Sequence, residues 1–256
     1  MAQTKLDILF AMPHPDDLEI TCGGTIAKLV KLGYQVGMVN LTTGEPTPLG
    51  TPEGRAGECA AAARILGVAH CETLALPNRE LMDGPPARYA LATVLRQQRP
   101  KILVGMAGRT PGASPDHYQA QLIVEGARFY SQLTKWDERF DHTEPHRIDW
   151  LWYRPVLIAA EPFHWHSTFV VDVSDVYDVK IAAISAYQSQ FPEERLKRLL
   201  RRVQTSDALE GGRCGFEHGE LFALPHPTPL PDPLGHFLHL APPTGPPPTA
   251  RTEGPA

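Results

Sequence analysis

Cysteine is scarce in this sequence. The 256 residues contain four cysteines, and no two of them have the CxxC spacing that is typical of zinc ribbons and redox motifs. The chain is also far longer than the small secreted scaffolds that depend on disulfides. Cys22, Cys59, Cys71 and Cys214 are therefore expected to be reduced thiols, and the protein is expected to be cytoplasmic.

Long apolar runs are absent as well. No stretch approaches the ~18 apolar residues that a membrane span needs, and residues 1–17 lack the apolar core and cleavage site of a signal peptide. An excess of positive charge is also absent, because the formal net charge is -5. The one basic cluster, KRLLRR at 197–202, has helical spacing and indicates a solvated helix face. We expect neither a membrane nor a nucleic acid as a partner.

Strand and helix signals alternate through the first half of the chain. Each apolar run of strand length is followed by a helical pattern, and several helices end at a glycine or a proline. The predicted strands are 6–12, 34–43, 71–76 and 101–106, and the predicted helices are 23–33, 53–68, 87–100 and one from Ser114 towards Leu133. This alternation predicts an α/β fold with a doubly wound, mostly parallel sheet of the Rossmann-like type.

The pattern changes after residue 149. Two strand-like runs, 151–159 and 167–174, and two helical stretches, 176–188 and 192–209, predict a β-rich C-terminal extension. Proline becomes frequent from Pro225 onward. We therefore divide the chain into a domain over 1–224 and a proline-rich, extended or disordered tail over 225–256.

Two short polar segments follow predicted strands and share one design. His14-Pro15-Asp16-Asp17 comes directly after the first strand, and Ser114-Pro115-Asp116-His117 comes shortly after the fourth. Ligands of open parallel sheets bind at the carboxyl ends of the strands. We expect each proline to occupy the first helical position, where its missing N–H costs nothing. The neighbouring side chains would then project from two helix starts at one edge of the sheet.

The residue types in these segments suit a catalytic metal site. A catalytic zinc needs three protein ligands from His, Asp or Glu and one open position for water. His14 and Asp17 stand three residues apart, and His117 would complete the set. Asp16 is then left to take a proton from water whose pKa the metal lowers to about 7. Taken singly, His14 could cap a helix, and Asp16 and Asp17 could complement its dipole.

HPDDLE at 14–19 resembles the signature of the LmbE-like, or PIG-L, family of zinc-dependent N-acetylglucosaminyl deacetylases. Residues 42–68 are similar to the family's TxGE…R..E..A..LG block. Residues 169–191 and 215–224 resemble the bacillithiol-pathway branch, which deacetylates N-acetylglucosaminyl malate. The resemblance covers roughly residues 5–224 and leaves the proline-rich tail outside it.

The resemblance implies a role for each matching residue. His14, Asp17 and His117 match the metal ligands, and Asp16 matches the general base. Asp116 matches an acid that tunes the neighbouring histidines, although it could also compensate the helix dipole. The implied cofactor is one Zn²⁺ per chain, and Fe²⁺ or Mn²⁺ would also suit two imidazoles and a carboxylate.

Arg55 matches an arginine that the family uses to hold substrate, at the malate or inositol end. Its alternative is a surface arginine that pairs with Glu58 in the same helix. The bacillithiol branch also carries an arginine just before its second motif, where this chain has Ala113 and where Arg109 is the nearest candidate. The predicted substrate-binding residues are Arg55, Glu45, Asn78, Arg109, His164 and His166.

Position 114 departs from the family's pattern. The second motif usually reads HPDH, and its first histidine is credited with stabilising the oxyanion or donating a proton. Here Ser114 stands in its place, a good N-cap whose hydroxyl donates only a neutral hydrogen bond, and we keep it with Asp16 and Asp116 in the catalytic set. Either another histidine takes over, or the substrate and proton donor differ, or activity is lost while metal and fold remain. The candidate replacements are His164, His166, His142 and His218.

The leading hypothesis is removal of the acetyl group from an N-acetylated amino sugar, such as the malate glycoside, by a homo-oligomer of hexameric or trimeric form. A metal-retaining binding protein of the same fold is the alternative. Gly23-Gly24 weakly suggests a nucleotide-binding protein, but the G-x-G-x-x-G fingerprint is missing. A serine hydrolase is weaker still, because the sequence has no G-x-S-x-G elbow.

Overall fold

The computed structural model describes residues 5–155 and 167–229. In this part of the chain the strands are β1 (Ile8–Met12), β2 (Val36–Thr42), β3 (His70–Leu76), β4 (Ile102–Ala107), β5 (Trp150–Pro155), β6 (Ser167–Asp172) and β7 (Gly219–Leu224). The helices are α1 (Asp17–Lys31), α2 (Pro52–Leu66), α3 (Pro85–Gln98), α4 (Asp116–Tyr130), α5 (Tyr177–Ser185) and α6 (Glu193–Gly212). Short 3-10 helices lie at Asp137–Phe140 and Ser174–Val176.

The strands form one sheet in the order β3-β2-β1-β4-β5-β7-β6. The first five strands in this order are parallel, whereas β7 is antiparallel to both β5 and β6. The chain runs outward from β1 to β3 and then returns to place β4 on the other side of β1. The predicted α/β fold with a mostly parallel sheet is confirmed, and its switch point lies between β1 and β4.

The core lies on both faces of the sheet, because successive residues of a strand point to opposite faces. Leu9 and Ala11 of β1 pack in one apolar cluster with residues of α3 and α4. Ile8, Phe10 and Met12 pack in the other cluster, with residues of α1, α2 and α5. All five residues of β1 are buried, as expected for a central strand that helices cover on both sides.

One predicted helix start was wrong, and one strand was missed. Helix α1 begins at Asp17, six residues before the predicted start at residue 23. Leu18 and Cys22 are buried in the core, and this packing outweighs the modest helix propensity of Ile20 and Thr21. Strand β7 was not predicted as a separate element. The predicted strand 151–159 corresponds to β5, and its residues 156–159 lie outside the described residues.

A buried ionic cluster fixes α1 against the extension. The ammonium of Lys180 lies 2.6 Å from Asp207 and 2.7 Å from Glu220. Glu220 also accepts hydrogen bonds from the backbone N–H groups of Gly24 and Thr25 at 2.9 and 2.8 Å. A Cβ atom at position 24 would lie 2.7 Å from the Cβ atom of Val173. The close approach of this cluster explains the glycine, which the sequence had suggested, weakly, as part of a nucleotide site.

The chain divides into two compact units, Met1–His226 and Pro227–Ala256. Residues 230–256 lie outside the described residues, so the boundary after residue 224 stays a prediction. Among the described residues, no helix has the length and apolar character that crossing a membrane requires.

Candidate metal centre and active site

The HPDD segment lies at the carboxyl end of β1 and leads directly into α1. Asp17 is the first residue of α1, so Pro15 precedes the helix by two residues, and the prediction that it occupies the first helical position was wrong. The same correction applies to Pro115, which lies immediately before α4. Asp16 has φ 100°, a left-handed conformation that costs about 1–3 kcal/mol in a non-glycine residue and that clusters at functional sites.

The three predicted metal ligands lie close together, although about a hundred residues of sequence separate His14 and Asp17 from His117. The Nδ1 atom of His14 lies 3.0 Å from Oδ2 of Asp17, and Nε2 of His117 lies 3.6 Å from Oδ1 of the same carboxylate. One ligand atom from each of these residues falls within 4.8 Å of the others. Adjacent placement of β1 and β4 in the sheet produces this cluster, as the two motifs had predicted.

The remaining ring nitrogens of both histidines also have partners. Nε2 of His14 lies 3.2 Å from Oδ2 of Asp116, and Nδ1 of His117 lies 3.0 Å from Oγ1 of Thr110. Asp116 is itself held by the backbone N–H groups of Arg79 and Leu81, at 2.7 and 3.3 Å. Sequence reasoning missed Thr110, since a threonine seven residues before a ligand carries no recognisable signal.

Burial, hydrogen bonds and neighbouring charges shift the pKa values of several groups in this cluster. Burial lowers the pKa of His14, but its hydrogen bonds with Asp116 and Asp17 outweigh burial and raise the pKa to about 10. Burial raises the pKa of Asp16 to about 7, although the guanidinium of Arg55 opposes this shift. A carboxylate with a pKa near 7 suits proton transfer at neutral pH.

Arg55 is 3% exposed and lies beside Asp16, with 3.0 Å between Nη2 and Oδ2. The same Nη2 atom donates a hydrogen bond to the backbone carbonyl of Pro15. Glu58 instead accepts hydrogen bonds from the backbone N–H and the hydroxyl of Ser189, so the alternative pairing of Arg55 with Glu58 was wrong. Within the described part of the chain, Nε and Nη1 of Arg55 are buried without a hydrogen-bond partner.

Ser114 lies at the edge of the cluster and caps the start of α4. Its Oγ atom accepts a hydrogen bond from the backbone N–H of Asp116 at 3.2 Å. The backbone carbonyl of Ser114 accepts from the hydroxyl of Thr110 at 3.2 Å. The side chain is half-buried, so its hydroxyl proton is available to a ligand.

Three other predicted substrate residues, Glu45, Asn78 and Arg109, lie in the segments that follow β2, β3 and β4. Asn78 approaches the hydroxyl of Thr42 at 3.4 Å, next to the backbone that holds Asp116. Glu45 is buried and accepts hydrogen bonds from Thr47 and Gln190, so it braces its own loop. Arg109 lies exposed in the segment between β4 and α4.

Of the four histidines proposed as replacements for the missing one, two belong to the described part of the chain. His164 and His166 lie outside the described residues. His142 is exposed and follows the 3-10 helix at Asp137–Phe140. His218 stacks on the ring of Tyr177, with 3.7 Å between the ring centroids.

The residues present fit a divalent metal ion. Two imidazoles and one carboxylate make the donor set of many catalytic zinc sites and leave a position open for water or substrate. Histidine ligands usually donate their second ring N–H to a carboxylate or another acceptor, which fixes the tautomer and the ring orientation. Asp116 and Thr110 occupy these positions beside His14 and His117.

Together, the fold and the cluster define a Rossmann-like α/β protein with a candidate His–Asp–His metal site at the switch point of its sheet. A family model described as PIG-L, GlcNAc-PI de-N-acetylase, matches residues 9–127. A crystal structure of a conserved protein from Thermus thermophilus superposes with a TM-score of 0.77 at 34% identity, over 89% of this chain and 98% of that chain. The chain belongs to the PIG-L family.

Two further relatives are named for an enzymatic activity. The diacetylchitobiose deacetylase of Thermococcus kodakarensis is 29% identical over 249 residues, which cover 92% of this chain and 86% of that protein. The structure of N,N'-diacetylchitobiose deacetylase from Pyrococcus horikoshii has a TM-score of 0.74 at 27% identity, over 88% of this chain and 87% of that chain. The predicted family is therefore confirmed, whereas its bacillithiol branch stays a prediction.

Proposed function

We propose that this chain is a metal-dependent hydrolase that removes the acetyl group from an N-acetylated amino sugar. The convergence of His14, Asp17 and His117 beside Asp16 carries this proposal, because it combines a metal donor set with a carboxylate that is not needed as a ligand. Relatives named diacetylchitobiose deacetylases, matched over most of their length, support the same reaction class.

The three donor side chains would hold Zn²⁺, which acts as a Lewis acid on an amide carbonyl and lowers the pKa of water. Asp16 accepts a proton from the attacking water and passes it to the leaving nitrogen. The products are acetate and a free amine. Arg55 holds Asp16 in place and has two unpaired nitrogens to offer to the substrate. Because Arg55 is buried beside the base, we place it near the reacting carbonyl rather than at a distant end of the substrate.

Ser114 takes the position of the usual histidine in this proposal. Its oxygen accepts from the N–H of Asp116, and its proton remains free to hydrogen-bond the carbonyl oxygen as negative charge develops. A neutral donor stabilises that charge less than an imidazolium does, and the loss of one such donor typically costs about 100- to 1000-fold in rate. We therefore expect slow turnover rather than none.

The substrate that we propose is a conjugate of N-acetylglucosamine. The malate glycoside follows from the resemblance of residues 169–191 and 215–224 to the bacillithiol branch. Diacetylchitobiose is the rival substrate, because relatives named for it cover most of this chain. We propose one Zn²⁺ per chain and a homo-oligomeric, cytoplasmic enzyme.

The test is acetate release from N-acetylglucosaminyl malate, diacetylchitobiose and N-acetylglucosamine, with the zinc-loaded protein. Asp16→Asn keeps the shape of the side chain but removes the base. We expect it to lower acetate release by about 100-fold or more, as is typical when a general base is lost. Asp175→Asn is the matched control, because Asp175 pairs with Lys28 and Lys31 on the surface.

Metal content is measured in the same samples by elemental analysis. We expect Asp16→Asn to keep one zinc per chain, which separates loss of the base from loss of the metal. Equal acetate release by Asp16→Asn and the parent protein would overturn the role of Asp16. Zinc retained without acetate release from any of the three compounds would instead point to the metal-retaining protein without turnover.

A further inference from the structure

Two of the four cysteines lie side by side outside the candidate metal centre. Cys59 is on α2 and Cys71 is on β3, and their Sγ atoms are 3.8 Å apart. Cys22 is buried in α1, and Cys214 is exposed after α6. This pair was not predictable from the sequence, because eleven residues separate its members and the spacing matches no known motif.

The two thiols differ in their access to solvent. Cys71 is exposed on β3, which among the described residues is an edge strand paired with β2 alone. Cys59 is 4% exposed and accepts a hydrogen bond from the side-chain amide of Asn40 at 3.2 Å. A reagent in solution therefore reaches Cys71 first, while Cys59 lies behind it and in contact with it.

The surroundings of Cys59 favour its thiolate form. The hydrogen bond with Cys71 outweighs burial and lowers the pKa of Cys59 to about 6, and the amide of Asn40 acts in the same direction. The same hydrogen bond, together with burial, raises the pKa of Cys71, so Cys71 keeps the proton and Cys59 carries the charge. A thiolate in contact with an accessible thiol is the arrangement that resolves mixed disulfides.

We propose that Cys59 and Cys71 form a reversible intramolecular disulfide in exchange with small disulfides such as oxidised glutathione. The thiolate of Cys59 takes the proton of Cys71, and the sulfur of Cys71 attacks one sulfur of the oxidant, which releases one glutathione thiolate and leaves a mixed disulfide on Cys71. Cys59 gives that proton to the released glutathione, and its thiolate attacks the sulfur of Cys71 and releases the second glutathione thiolate. The protein loses two electrons and one proton, and the oxidant becomes one reduced glutathione and one glutathione thiolate, which takes its proton from water.

The geometry needs only a local adjustment. The sulfur atoms must approach from 3.8 Å to about 2.05 Å, the length of a disulfide bond. Because β3 has one neighbouring strand in the described part of the chain, its backbone can shift there without breaking a second ladder. The new bond would join the edge of the sheet to α2, four residues after Arg55 on the same helix.

The test uses the full chain with Cys214→Ser, which removes the exposed cysteine that would otherwise react on its own. This variant has three cysteines of the original four. After incubation with oxidised glutathione, alkylation under denaturing conditions is expected to find one free thiol instead of three, with no bound glutathione. A reducing agent is expected to restore all three.

Trypsin identifies the bond directly, because Arg64 lies between the two cysteines. We expect peptides 56–64 and 65–79 to be recovered as one disulfide-linked species. Cys71→Ser combined with Cys214→Ser is the matched control, since it changes an exposed position and is expected to keep both remaining thiols free. Stable glutathione on Cys71, or three free thiols in the folded protein after oxidation, would overturn the proposal.

Discussion

At the scale of single residues, both histidines of the candidate metal centre are held at two atoms each. One ring nitrogen of His14 and of His117 lies near Asp17, while the other meets Asp116 or Thr110. An imidazole restrained in this way has a fixed tautomer and loses little freedom on binding metal. The two supporting contacts are therefore expected to act on metal affinity more than on folding.

Thr110→Val tests this expectation, because valine has nearly the same shape but no hydroxyl for Nδ1 of His117. We expect zinc affinity to fall by about 10- to 100-fold, the usual effect of losing such a partner. Competition with a chromophoric chelator measures the affinity. Thr110→Ser keeps the hydroxyl and is expected to restore most of it. Unchanged affinity in Thr110→Val would show that this contact does not orient His117.

The residues of the site could be predicted only in part. The cluster of His14, Asp17 and His117 was predictable because each motif directly follows a strand of a parallel sheet, and the strand ends meet at one edge. Thr110 and the backbone of residues 79–81 were not predictable, since their contacts depend on how two loops fold over α4. The position of Arg55 beside Asp16 also depends on packing between distant parts of the chain.

At the scale of elements, α1 joins the candidate metal centre to the C-terminal extension. Its first residue, Asp17, belongs to the centre, and its middle turn bonds to Glu220 of β7. The helix passes so close to Val173 and Glu220 that position 24 has no room for a side chain. A change in this contact is expected to act on the stability of the whole extension.

Gly24→Ala is expected to destabilise the fold by about 1–3 kcal/mol, the usual cost of overpacking, because its Cβ atom would lie 2.7 Å from the Cβ atom of Val173. Urea unfolding measures the change in the free energy of unfolding. Gly57→Ala in α2 is the matched control, since a Cβ atom there meets nothing within 4 Å. We expect that control to be neutral or slightly stabilising. Equal midpoints for the two variants would contradict the packing argument.

Lys180→Met is expected to destabilise the fold further, by about 3–5 kcal/mol, because it leaves the buried carboxylates of Asp207 and Glu220 without their shared cation. The same urea experiment measures it. Lys197→Met removes a lysine whose partners, Glu193 and Glu194, are exposed, and no measurable change is expected there. A small effect of Lys180→Met would mean that the carboxylates take up protons or solvent at little cost.

Most elements of the parallel half were predictable, and β7 was not. Strands β1, β2 and β4 are buried apolar runs separated by helical patterns, so hydrophobic periodicity and the helix-end signals are enough to find them. The sequence of β7 places a charged residue, Glu220, at the second position of a strand. That residue is buried there only because Lys180 and α1 provide partners from elsewhere in the chain.

At the scale of the whole molecule, the candidate metal centre belongs to no single element. Its residues come from the ends of β1 and β4, on the two sides of the switch point of the sheet. A ligand that binds only the folded chain raises the free energy of unfolding, by about 2.7 kcal/mol when it is present at a hundred times its dissociation constant. Metal binding is therefore expected to stabilise the entire domain.

Zinc in excess is expected to raise the melting temperature of the metal-free protein by several degrees, and a chelator is expected to reverse the rise. Differential scanning calorimetry measures both. His117→Ala removes one of the three donors and is expected to lose most of the increase. An equal increase in His117→Ala would place the bound zinc at another site.

The distance along the chain between the two motifs has a kinetic consequence. His14 and Asp116 touch although 102 positions separate them, so their contact closes one of the long loops of the fold. Closing such a loop costs conformational entropy and slows folding. It must happen before the side chains of both motifs can bind one ion. An ion held by these side chains would therefore bind after the rate-limiting step of folding. We expect it to slow unfolding without speeding folding.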